Sequence, residues 1–141
     1  MGISSRQFEQ LQERVAGKKQ ATHKPVVNEV AHQVILGVDP SLRGTGYGVI
    51  RLGRAEPKTL VQGTIKCPAR LDRSQCLAEI SCTLRKLVAK HQPTVCAIEG
   101  IFFTQNVKTA LTMGEARGAA LAVLAEAGME IFEIAPRKVK Q

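Results

Sequence analysis

Two runs of this chain each end in a lone carboxylate. Val34-Ile35-Leu36-Gly37-Val38 leads to Asp39, and Val95-Cys96-Ala97-Ile98 leads to Glu99. Short apolar runs of this kind read as buried strands, and an unpartnered acid is costly in such surroundings. A helical pattern lies between the two runs. They can therefore be parallel neighbours joined by a right-handed crossover. Neighbouring strands lie about 4.8 Å apart, so Asp39 and Glu99 would converge at one sheet edge. Open α/β sheets hold their ligands in that crevice. The two carboxylates repel, and a divalent cation removes the conflict. Carboxylate oxygens are hard ligands suited to Mg2+, which keeps water or phosphate as its other ligands. A pair of such ions can clamp the attacking and departing oxygens of a phosphodiester. One strand-end acid has a plainer use as a cap or a solvated end; the metal reading rests on there being two in a basic chain.

Phe102 and Phe103 follow Glu99 closely, in a polar segment of a chain with four Phe, one Tyr and no Trp. One ring tucked into the core would anchor the loop. A second ring left outside could stack on an unpaired base or wedge into a base step. The glycine-rich Arg43–Gly48 segment, RGTGYG, is neither a dinucleotide fingerprint nor a Walker A sequence, and a strand follows it. It reads as a tight turn.

The elements that must position these groups follow from periodicity. A first strand ends at Asp39, GTGYGVIRL is a second and KTLVQGTIKC a third. Leu77, Ile80, Leu84, Leu87 and Val88 mark an amphipathic helix over about 70–90. TVCAIE is the fourth strand. A second helix spans about 107–127 with Gly128 beyond its end, and EIFEI is the fifth strand. In the second helix Ala110, Gly114, Gly118 and Ala122 recur every four residues. That ridge permits close backbone approach, either to the sheet or to a second subunit. Residues 1–33 form an N-terminal extension, with a short helix set by Phe8, Leu11 and Val15 and then a linker. A misplaced start is a further reading of that extension.

The bulk composition agrees with one folded domain over 34–141. The chain has 141 residues, 44% hydrophobic and 23% charged, enough for a globular core. No apolar run reaches the length of a membrane span, and no signal peptide opens the chain, so we expect a cytoplasmic protein without a membrane partner. Cys67, Cys76, Cys82 and Cys96 lack zinc-ligand spacing and read as reduced small hydrophobes. The net charge is +8, and residues 34–141 contribute +6 of it. That field suits a polyanionic partner, nucleic acid first.

The segments VILGVDPSLRGTGYGVI, VCAIEGIFFTQN, ALTMGEARGAALAVLAEAGMEIFE and PRKVKQ closely resemble the RuvC family of Holliday junction resolvases, from about Val34 to Gln141. The resemblance implies an RNase H-like α/β fold: a five-stranded mixed sheet with helices on both faces. It implies a homodimer that binds four-way junction DNA and makes paired, symmetric, Mg2+-dependent nicks in recombination and repair. It also implies RuvA and RuvB as branch-migration partners. By position, Asp39 and Glu99 match two metal ligands and catalytic groups, and Lys140 a lysine important for activity. Phe102, Phe103, Gln105, Arg137 and Lys140 fall among expected nucleic-acid contacts. Gly114 and Gly118 lie on the helix that the family uses for dimerisation. Ser41 replaces the usual glycine of DPG, and Gln105 stands where many relatives carry a cation. The family's final helix supplies two further acidic ligands, and the sequence stops before it. On that ground we expect a fragment with a half-built two-metal site, inactive alone. The competing reading is an inactive junction-binding module. Another RNase H-like protein, an RNA-processing factor or a sugar-kinase relative, would not share IEGIFFTQN.

Overall fold

The computed structural model describes residues 33–101 and 106–135, all within the unit His32–Gln141. The expected N-terminal helix and linker, Phe102, Phe103, Gln105, Arg137 and Lys140 lie outside the described residues.

Five strands and two helices follow in the expected order. They are β1 (Val34–Asp39), β2 (Gly44–Arg51), β3 (Lys58–Lys66), α1 (Arg73–His91), β4 (Val95–Glu99), α2 (Val107–Glu126) and β5 (Glu130–Ile134). The sheet order is β3-β2-β1-β4-β5. β1–β2 and β2–β3 are antiparallel, whereas β1–β4 and β4–β5 are parallel. The two helical crossovers impose the parallel half, since a parallel neighbour cannot be reached by a short turn.

Alternation along the strands divides the sheet into two unlike faces. Leu36 and Val38 of β1, Val49 of β2, Ile65 of β3 and Cys96 and Ile98 of β4 all enter one core. Against them pack Ile80, Leu84 and Leu87 of α1, and Ala116, Ala120, Val123 and Leu124 of α2. Ala116 and Ala120 are fully buried; their small side chains let the α2 backbone come close to its neighbours. The resemblance implied helices on both faces. Among the described residues, both helices cover the same face, the one whose apolar residues form the continuous core cluster.

Local chemistry sets the ends of each helix. At α1 the Asp72 N–H donates to Gln75 Oε1 at 2.8 Å, and the helix ends where Gln92 adopts a left-handed conformation, φ 49°. At α2 the Asn106 side chain accepts from the Thr109 N–H at 3.1 Å. Past its end Gly128 has φ 70°, the region where glycine avoids a Cβ penalty.

The α2 ridge does not pack on the sheet. A Cβ built at Gly114 or Gly118 would meet nothing within 4 Å. The buried stripe of α2 is instead Ala116, Ala120, Val123 and Leu124, and the glycines lie on another side. The sheet-packing reading of this ridge is therefore wrong for the single chain.

All four cysteines are free thiols; Cys67, Cys76 and Cys96 are buried and Cys82 is exposed. Burial pushes the Cys96 thiol from 9.0 up to about 12, and desolvation also raises Cys67. The folded state thus disfavours ionisation of Cys96. Its contribution is fully present below pH 9 and fades as pH rises towards about 12. We expect a thiol reagent at pH 8 to modify Cys82 rapidly, and the other three only as fast as the chain unfolds, as read by mass spectrometry over time.

Candidate metal centre

The site is built from the ends of β1 and β4. Their parallel register pairs Leu36 with Cys96, Gly37 with Ala97 and Val38 with Ile98. One residue further along both strands come Asp39 and Glu99. They are level on adjacent strands, about 4.8 Å apart by strand spacing. Both face the side of the sheet that the described helices leave open. They line a shared cavity of about 700 Å3 on that face.

The floor of this cavity is nearly bare of side chains. Asp39 pairs with Gly46, which pairs with Thr64; Gly37 pairs with Gly48, which pairs with Gln62. On the other flank Glu99 pairs with Ile134 and Ala97 with Phe132. Two transverse rows result. One reads Thr64, Gly46, Asp39, Glu99, Ile134, and the other Gln62, Gly48, Gly37, Ala97, Phe132. A Cβ at Gly46 would lie 3.6 Å from the Asp39 Cβ. Glycine here leaves a trough beside the acids.

Several contacts hold the Asp39 end in place. The Thr45 hydroxyl, buried, donates to the Ser41 carbonyl at 2.6 Å, and its oxygen accepts from the Ser41 N–H at 3.2 Å. Leu42 drops into the core. The Arg43 guanidinium donates through Nη1 to the carbonyls of Pro68 and Leu71 at 2.9 and 3.0 Å, and lies 3.2 Å from Cys76 Sγ. The latched turn therefore ends at Arg43; Gly44 to Gly48 already belong to β2, so the tight-turn reading holds only for the start of the glycine-rich segment. Beyond Glu99, the Gly100 N–H donates to the Ile134 carbonyl at 2.9 Å and extends the parallel ladder.

A second, small cavity of about 100 Å3 opens at the rim on the α2 side. Asp39, Pro40, Glu99, Gly100, Ile101, Met113 and Arg117 line it. Arg117 escaped the sequence reading; its only signal there was a lone cation within the small-residue run GEARGAA. It forms an ion pair with Glu133 of β5 at 2.7 Å.

Two carboxylates at one rim suit a hard divalent cation, which accepts few protein ligands and retains water. Among the described residues, no group of three or more His, Cys, Asp or Glu side chains gathers to hold a metal. Asp39 and Glu99 offer two hard oxygen donors at one rim. Like charges on adjacent strands destabilise the fold while no cation is present. We expect Asp39→Asn to stabilise the metal-free chain by roughly 0.2–1 kcal/mol, read as a raised urea midpoint in EDTA.

A five-stranded mixed sheet, with acids level at the ends of two parallel central strands, is the RNase H-like arrangement of metal-centred nucleases. The family profile for Crossover junction endodeoxyribonuclease RuvC matches residues 35–141. The chain is 43% identical over 108 residues to the RuvC of Halorhodospira halophila, covering 76% of this chain and 64% of that protein. It is 40% identical over 108 residues to the RuvC of Heliobacterium modesticaldum, covering 77% and 67% respectively. The structure of T. thermophilus RuvC in complex with a Holliday junction substrate superposes with a TM-score of 0.72 at 27% identity, covering 78% of this chain and 67% of that one. The chain belongs to the RuvC family. It spans about two thirds of the length of the relatives it matches.

Proposed function

We propose that this chain carries the nuclease domain of a Holliday junction resolvase. Residues 34–141 carry that domain, and residues 1–33 form a separate extension. The protein cuts four-way DNA junctions by paired symmetric nicks in recombination and repair. The observation that carries the reading is the level pair Asp39 and Glu99 beside a trough with a glycine floor. A phosphodiester backbone needs close approach to the metal ligands, and a floor without side chains permits it. The basic balance of residues 34–141, net +6, supports a polyanionic substrate.

Asp39 and Glu99 would hold Mg2+, which when bound stabilises charge on the phosphoryl oxygens and favours attack by water. The chain's own residues orient the carboxylates: Thr45 and Arg43 fix the Asp39 end, and the β4–β5 ladder fixes Glu99. Lys140, Arg137, Phe102, Phe103 and Gln105 are proposed DNA contacts, and Lys140 also serves cutting. Work in the cytoplasm beside RuvA and RuvB is part of this proposal. Among the described residues no helix is long and apolar enough to cross a membrane.

Dimerisation through α2 fits its outward surface. Val107 and Leu111 are 71% and 62% exposed, and Gly114 and Gly118 continue that side with open space above them. Spacings of four, three and four residues make a seam at which two helices can interlock.

The junction test uses a chimera in which residues 35–135 replace the matching region of the H. halophila relative. Asp39→Asn or Glu99→Gln in it should lower Mg2+-dependent cutting at least about a hundredfold, the scale of several kcal/mol of lost transition-state stabilisation. Affinity for the junction should stay within a few-fold. Unimpaired cutting by either variant rejects the ligand roles. Gly118→Leu should shift the chain towards monomer in sedimentation, whereas its thermal midpoint at low concentration stays close to wild type. An unchanged association constant rejects the seam.

A further inference from the structure

Arg117 is a cation placed where packing alone does not require one. Its side chain is 15% exposed, between the buried Ala116 and the open Gly118. A guanidinium in such a position carries a desolvation cost that an apolar residue of similar size avoids. Its partner Glu133 is 64% exposed, so the pair is half open to water. Arg117 Nε is buried and finds no hydrogen-bond partner among the described residues. The same side chain lines the rim cavity together with both Asp39 and Glu99. Among the described residues, three charged side chains thus line one small space: two carboxylates from strand ends and one cation from α2.

From this placement we infer that Arg117 is a positioning residue, a fixed countercharge behind the Asp39–Glu99 pair, with Glu133 setting how much of its field reaches them. The inference rests on the reading that Asp39 and Glu99 bind a divalent cation. Before a cation arrives, the guanidinium screens the two carboxylates from each other and keeps the rim in shape. When the cation arrives, the guanidinium opposes it. The site therefore stays ordered when empty and holds its ion less tightly than two acids alone would.

That gives a sign that a structural anchor does not share. Mn2+ binding to the 141-residue chain is read by electron paramagnetic resonance, with thermal midpoints measured in parallel. Arg117→Met should bind Mn2+ a few-fold to about tenfold more tightly, the scale of one screened unit charge acting on a divalent ion. Its metal-free midpoint should fall. Arg117→Lys, which keeps the charge, should bind as wild type does. Glu133→Gln leaves Arg117 without its neutralising partner and should weaken Mn2+ binding. Because Glu133 is mostly exposed, that variant keeps the test open if Arg117→Met fails to fold. Weaker or unchanged binding in Arg117→Met, or unchanged or tighter binding in Glu133→Gln, overturns the inference. If Asp39→Asn binds Mn2+ as well as wild type, the underlying metal reading fails and takes this one with it.

Discussion

The parallel pairing of β1 with β4 is the constraint on which the rest of this chain depends. A one-residue slip in that register would turn every side chain of β4 to the opposite face. Glu99 would enter the helix-covered core and Ile98 would face water. The register is secured from the core side, where Leu36, Val38, Cys96 and Ile98 are all buried. The apolar packing that stabilises the fold is thus also what brings two acids, sixty residues apart in sequence, to the same rim. Stability and site geometry share one cause.

The two faces divide the labour. One face holds the core cluster and both described helices. The other is left nearly flat by glycine, with the acids at its end. Around the acids, the connections are held by short polar contacts instead of bulk. Thr45 closes on Ser41, and Arg43 reaches across to the β3–α1 connection. These contacts lie on loops, where the backbone has little regular hydrogen bonding of its own and side chains must supply it.

Much of this was legible in the sequence, and the reasons are specific. Asp39 and Glu99 stand at the ends of unbroken apolar runs, a local pattern that needs no knowledge of neighbours. Strand and helix order followed from periods of two and about three and a half. What could not be read was anything set by pairing across strands. Gly46 and Gly48 looked like parts of a turn, because their place opposite Asp39 and Gly37 exists only after β1 and β2 pair. The Gly114–Gly118 ridge was ambiguous, since small residues suit a sheet contact and an open seam equally. Arg117 was invisible because its neighbours Asp39, Glu99 and Glu133 come from three separate strands. The aromatic pair Phe102 and Phe103 lies outside the described residues, so its role rests on the sequence reading alone.

The bare floor changes what a routine mutational survey means here. Replacing residues by alanine normally takes atoms away, yet at Gly37, Gly46 and Gly48 it adds one. The added methyl group would sit at ordinary contact distance or in open space, so folding has little reason to suffer. Any loss of activity from such a change would report on whatever occupies the trough, not on the scaffold beneath it. At these three positions the most conservative possible substitution becomes a steric probe of the guest.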